Sequence, residues 1–200
     1  MTDMWTNRYD QPDYVFGTEP TDFMRAAAAQ IPPTDALCVA DGEGRHSVFL
    51  AQQGFDVTAF DPAAPALDKA RTLADARGVK VERHQATFES WNWEREFGLL
   101  AGLFIQFQGP EDRAVTFQRF RRTVRPGGHL VLQGFAPRQV EYGTGGPPHA
   151  ENMYTEELLN DAFGDWDILH LRDHDAEVSS GSGHKGVAAL VELIARRPVV

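Results

Sequence analysis

Between Ala36 and Gly134, short apolar runs alternate with helix-length amphipathic segments, and that alternation limits what the chain can fold into. The runs Ala36–Ala40 ("ALCVA"), Asp56–Phe60 ("DVTAF"), Lys80–Gln85, Leu99–Phe104 ("LLAGLF") and His129–Gly134 ("HLVLQG") read as strands. Helical patterns lie between them at Arg45–Gln53, Pro62–Arg77 and Glu111–Val124. In the second of these, Ala66, Leu67, Ala70, Leu73 and Ala74 share one face, and Gly78 follows as a stop. Pro126-Gly127-Gly128 is read as the break after the third. Strands separated by helices imply βαβ units, a parallel sheet and right-handed crossovers. In such a sheet ligands bind outside the carboxyl ends of the strands.

Beyond Ala136 the rhythm changes. "APRQVEYGTGGPPHAEN" is rich in Gly and Pro and reads as a long loop, a length often functional inside a compact domain. Thr155–Phe163 reads as a short helix with Thr155 as N-cap. Trp166–Asp173 and Val187–Arg196 read as strands, with polar "HDAEVSSGSGHKG" as the linker between them. Two strands without an intervening helix suggest an antiparallel hairpin. The expected fold is therefore α/β: a doubly wound, Rossmann-like seven-stranded sheet of five parallel strands plus a C-terminal antiparallel hairpin. The expected organisation is a single domain over residues 1–200. Residues 1–35 would form an N-terminal cap segment and helix, and 136–154 a loop over a second site.

Charge and cysteine content narrow the function. Nineteen Lys and Arg against 29 Asp and Glu give a net charge of −10, which disfavours the cationic surface that nucleic-acid binding needs. The apolar runs fall far short of a membrane span. The start, "MTDMWTNRYDQPDY", lacks the basic-then-apolar order of a signal peptide. One cysteine, Cys38, allows neither an intramolecular disulfide nor a Cys-rich metal site. A cytoplasmic protein with a small-molecule partner, no metal, no nucleic acid and no membrane is expected; the oligomeric state is not legible.

The chemistry concentrates at two turns. Gly42 and Gly44 sit where the chain leaves the first strand, so ligand can approach the backbone and the free N–H groups of the next helix. A dinucleotide site wants G-x-G-x-x-G, but the third position is Ser47. Asp41 and Glu43 add carboxylates that would repel a pyrophosphate. Asp61, 19 residues beyond Gly42, ends the second strand at the spacing that serves a ribose diol. Asp61 also has a plainer reading as N-cap of the helix after Pro62, and His46 reads as a helix N-terminal residue rather than a base. Trp91 and Trp93 read as a loop covering the sheet edge.

Three stretches carry a resemblance: "YVFGTEPTDF" (Tyr14–Phe23), "LCVADGEGRHSVFLAQQGFDVTAFD" (Leu37–Asp61) and "APRQVEYGTGGPP" (Ala136–Pro148). Together they make the chain resemble class I S-adenosylmethionine-dependent methyltransferases, in particular the small tellurite-resistance/thiopurine-methyltransferase-like group. It departs from the general D-x-G-x-G-x-G loop at Cys38 and Ala40, and has Thr87 where relatives often carry an Asp and Phe107 where they often carry a His or another polar group. The resemblance implies methyl transfer from S-adenosylmethionine, leaving S-adenosylhomocysteine, to a small soft acceptor such as a thiol, a metalloid oxyanion or a small metabolite. It implies cofactor contacts from Asp41, Gly42, Gly44 and Arg45 at the methionine end, and from Asp61, Pro62 and Ala63 at the ribose. Ala86, Thr87 and Phe88 would flank the adenine, Phe104 and Gln106 would lie near the methyl, and Phe16 and Gly17 would close over the site. Arg138, Tyr142, His149 and His184 are the acceptor-side candidates, and no catalytic base is identifiable. The alternatives are a cofactor-binding protein without turnover and an NAD(P)-dependent oxidoreductase; Ser47 and the acidic loop argue against the latter.

Overall fold

A computed structural model describes residues 2–181 and 183–199, excluding the side chains of residues 2, 3 and 184. Its strands are β1 (Asp35–Val39), β2 (Asp56–Asp61), β3 (Glu82–Gln85), β4 (Phe97–Leu103), β5 (Val124–Phe135), β6 (Asp167–Ser180) and β7 (His184–Arg196). They form one seven-stranded sheet in the order β3-β2-β1-β4-β5-β7-β6. β1 to β5 pair in parallel, and β7 pairs antiparallel with both β5 and β6. The doubly wound sheet with its trailing hairpin is thus the expected one. β1 is buried at four of its five residues, which is why it reads as a continuous apolar run rather than an alternation.

The helices are α1 (Thr2–Tyr9), α2 (Asp22–Ala28), α3 (Arg45–Gln52), α4 (Ala64–Ala76), α5 (Pro110–Thr123), α6 (Gln139–Tyr142) and α7 (Glu156–Phe163). They divide the core in two. Phe23, Met24, Val48, Leu50 and Leu73 pack with Cys38, Ala59 and Val131 on one face of the sheet. Phe117, Phe120, Leu159 and Phe163 pack with Leu37, Leu100, Leu130 and Leu132 on the other. α7 starts as expected, with the Thr155 hydroxyl accepting from the Leu158 N–H.

Several expected boundaries shift. α4 starts at Ala64 rather than Pro62, because Ala63 is its N-cap and Asp61 accepts from the Ala63 N–H at 2.9 Å. Pro126-Gly127-Gly128 lies inside β5 rather than before it: Val124 already pairs with Phe97, and the register slips before Leu99 meets His129. Gly127, at φ +78, absorbs that irregularity, and its N–H donates to the Arg197 carbonyl. The 136–154 segment is more ordered than a plain loop. It contains α6 and a 3-10 turn at Ala150–Asn152, and the amide of buried Gln139 ties it to Gly145 and Ala189.

The polar linker is the largest correction. Residues 174–180 and 184–186 of this stretch, "HDAEVSSGSGHKG", are paired strand, with Asp175 opposite Ala189 and Ser180 opposite His184. β6 is a sheet edge whose residues are all partly or fully exposed, so apolar alternation is not required of it and the sequence pattern shows its first half, up to Asp173, but hides the rest. The N-terminal cap likewise holds two helices rather than one.

Candidate functional site

At the carboxyl ends of β1, β2 and β4 a cavity of about 650 Å³ opens into the molecule. Leaving β1, the chain passes through Ala40 at φ +46, Gly42 at +60 and Gly44 at +87, then enters α3. Ala40 occupies the left-handed region without being glycine, a strain of roughly 1–2 kcal/mol. Phe104, where the chain leaves β4, does the same at φ +58. Both line the cavity, where backbone strain tends to be stored. At Gly42 a Cβ would stand 2.9 Å from the Tyr9 hydroxyl. At Gly44 it would stand 2.7 Å from the Cβ of Ala70 on α4, so Gly44 serves helix packing and does not line the cavity.

The loop is tied together by carboxylates. Asp61 accepts from the N–H groups of Gly42 and Ala63, each at 2.9 Å. Burial raises its pKa, and the two N–H bonds pull the other way. Asp41 accepts from both the N–H and the hydroxyl of Ser47. Burial, with the Asp61 charge adding to it, pushes Asp41 up to about 7 against the bonds from Ser47. Glu43 has a different task. Its Oε2 takes the Val15 N–H at 2.8 Å and its Oε1 pairs with Lys69 at 2.8 Å, pinning the N-terminal segment over the loop.

Basic and aromatic groups complete that wall. Arg45 donates to the Phe16 carbonyl and lies over the rings of Phe16 and Phe104. Burial lowers it to about 10, still charged at neutral pH. His46 is buried in the first turn of α3; burial, then the neighbouring Arg45 charge, hold its pKa well below the usual value and leave it neutral. α1 covers the opening. Trp5 stacks on Tyr9 at 5.6 Å, Phe16 meets both rings, and Arg8 lies 5.1 Å from the ring centres of Trp5 and Phe16. The hairpin tip supports this lid, since the Gly183 N–H donates to the Val15 carbonyl. The Phe16 ring leaves no room for a side chain at Gly183.

Of the residues singled out in the sequence, Phe16, Gly17, Asp41, Gly42, Arg45, Asp61, Pro62, Thr87, Phe88, Phe104, Gln106 and His149 line the cavity. Ala63 and Ala86 lie beside it without lining it. The Gln106 amide is spent on structure: it donates to the Phe135 carbonyl at 2.8 Å and accepts the Phe135 N–H at 2.6 Å. Arg138 and Tyr142 are outside the cavity lining. Arg138 pairs with Asp173 and Asp175 on β6, and the Tyr142 hydroxyl donates to Asp175, so both staple the loop to the hairpin. The side chain of His184 lies outside the described residues. Trp91 and Trp93 pack on Phe60 at the sheet edge, as expected.

Trp5, Arg8, Tyr9, His46 and Asn152 line the cavity and escaped the sequence reading as site residues. For Trp5 and Tyr9 a signal existed, two aromatics at i and i+4 on one helical face. For Asn152 no local signal existed.

Residues 36–128 match the family model described as "Methyltransferase domain". Hemagglutinin 1 of Eikenella corrodens is 23% identical over 181 residues, 88% of this chain, and the chain spans 58% of that protein's length. TehB from Haemophilus influenzae superposes with a TM-score of 0.74 at 16% identity, over 98% of this chain and 66% of that one. The N-methyltransferase NodS from Bradyrhizobium japonicum WM9, solved in complex with S-adenosyl-L-homocysteine, superposes with a TM-score of 0.69 at 13% identity, over 98% of each chain. At such identities the likeness establishes the fold.

Proposed function

We propose that this chain, a class I methyltransferase by fold, transfers a methyl group from S-adenosylmethionine to a small, soft nucleophile by in-line displacement. One observation carries the reading. The Gly42 turn, Asp61 and the segment Thr87–Phe88 come from the ends of three successive strand units and line one cavity. That is the placement a nucleoside ligand needs in a doubly wound sheet.

The residues present fit such a ligand. The Asp61 oxygens keep lone pairs after accepting two N–H bonds and are assigned the ribose hydroxyls. Asp41, Gly42 and Arg45 take the methionine end, while Thr87 and Phe88 flank the adenine. Thr87 offers the adenine no charge, and its hydroxyl already accepts from the N–H groups of Glu89 and Ser90. The bound cofactor supplies an electrophilic methyl on a sulfonium. The chain's own contribution is alignment and dryness. Phe104 and Phe135 wall the space beyond β4, with ring centres 5.0 Å apart, and α1 with Phe16 shields the other side from water.

The acceptor wall supports a soft nucleophile. Phe104, Phe107, Phe135, Pro147 and Pro148 are apolar, and Gln106 is committed to the backbone. A thiolate needs little base assistance, whereas an amine or hydroxyl needs a positioned base. The polar members of this wall are His149, Asn152, Asp112 and Gln108, the last accepting from the Thr116 hydroxyl, and His149 and Asn152 are the ones assigned to the acceptor. Likeness to TehB keeps metalloid oxyanions within the acceptor panel beside thiols and small metabolites.

Calorimetric titration with S-adenosylhomocysteine tests the reading. Micromolar binding, weakened by roughly 1–3 kcal/mol in Asp61→Ala with its fold checked by circular dichroism, supports it. No binding at millimolar ligand overturns it. A methyl-acceptor screen on the binding protein then separates thiols from oxyanions.

A further inference from the structure

His46 is a buried polar group in the cavity wall that neither the fold nor the proposed chemistry uses. The residue is 7% exposed, and its Nε2 is sealed from solvent with no hydrogen-bond partner among the described residues. A buried orphan of this kind costs about 1–3 kcal/mol, and such groups normally find a partner. The Trp5 indole N–H, on the lid that lines the same cavity, is also sealed and has no partner among the described residues.

The surroundings indicate what would satisfy them. An indole N–H only donates, so its missing partner is an acceptor. His46 sits in the first turn of α3, whose own residues carry no acid there, although Asp41 before the helix accepts the Ser47 N–H. Its neighbour Arg45 is charged, lines the cavity and places cationic charge at the same end. A helix N-terminus beside a guanidinium favours an anion. The acidic groups nearby do not oppose one strongly. Glu43 pairs with Lys69, burial draws Asp41 towards its neutral form, and Asp61 is engaged by the Gly42 and Ala63 N–H groups.

Resting on the cofactor assignment above, we propose that His46, as its neutral imidazole with the proton on Nε2, donates a hydrogen bond to the α-carboxylate of the bound cofactor. Arg45 supplies the balancing charge, and the Trp5 N–H closes the same anionic end from the lid. His46 is then a binding residue and takes no proton from the acceptor.

The test separates this proposal from the reading beneath it by using two ligands. S-adenosylhomocysteine carries the carboxylate; S-adenosyl-3-thiopropylamine keeps the ammonium and lacks it. In the wild-type protein the first is expected to bind more tightly. His46→Leu is expected to lose about ten- to a hundred-fold in affinity for the first ligand and little for the second. The unliganded His46→Leu protein is expected to melt at or above the wild-type temperature, because the substitution removes an orphan and no bond. His46→Gln, which keeps a donor, is expected to recover part of the affinity. Equal affinity of wild type and His46→Leu for S-adenosylhomocysteine overturns the proposal. So does an equal loss for both ligands, which would place the imidazole's partner elsewhere. If the wild-type protein binds neither ligand, the cofactor assignment itself fails.

Discussion

Replacing Asp41 by Asn tests whether the loop after β1 really carries an acid held out of its normal ionisation range. Burial raises this carboxyl from about 3.8 to about 7. A carboxyl whose folded pKa is raised binds a proton more tightly in the folded state. Its ionisation therefore costs no stability below about pH 4 and an increasing amount as pH rises towards 7. The full shift corresponds to a penalty of about 4 kcal/mol above pH 7. Since the side chain is only partly buried and Ser47 donates to it twice, about 2 kcal/mol is the more realistic size. Asn can keep the network. Its Oδ1 accepts the Ser47 N–H, and its Nδ2 donates to the Ser47 hydroxyl, whose own hydrogen turns to the Gly44 carbonyl 3.2 Å away. Asp41→Asn should therefore match wild type near pH 4 and exceed it by about 2 kcal/mol at pH 8 in urea unfolding. A difference between the two proteins that stays constant across this range refutes the reasoning.

Three further substitutions probe how the site is held. Gly44→Ala places a Cβ 2.7 Å from the Cβ of Ala70 in a left-handed conformation, and should cost about 2–4 kcal/mol by denaturant unfolding; a loss below 1 kcal/mol would show that α3 and α4 separate easily. Lys69→Met leaves the Glu43 carboxylate, 3% exposed, without its cation, and should cost about 3 kcal/mol. It should also expose the 10–18 segment to limited proteolysis, and unchanged cleavage would remove Glu43 as its clamp. Gln106→Leu removes both bonds to Phe135, whose carbonyl keeps the Tyr154 N–H, and should cost about 1–3 kcal/mol; near-wild-type stability would mean that the Gln106 amide contributes little to holding β5.

Much of the fold was legible because burial on both faces of a parallel sheet forces continuous apolar runs, and helices covering that sheet must be one-sided. Asp35–Val39, Asp56–Asp61 and α4 appear within two residues of where their patterns place them. The second half of β6 was hidden for the opposite reason: an edge strand in solvent leaves no apolar signature between Asp173 and Ser180. At the site, Gly42 and Asp61 announced themselves through the chemistry of turns and through a spacing that a βαβ unit imposes. The structural tasks of Glu43 and Gln106 did not, because their partners lie 28 and 29 residues away in the chain.

The division follows from what each interaction depends on. Residue type and local spacing determined the strand-helix alternation, the glycine turn and the acid at the end of β2, since backbone sterics and hydrophobic periodicity act within a few residues. Only the tertiary structure decided that α1 covers the cavity, that Arg138 and Tyr142 bind the hairpin instead of lining that cavity, and that His46 is buried without a partner among the described residues. Those outcomes depend on which surfaces meet once the sheet has closed its core, and on the desolvation that follows for each polar group caught between them.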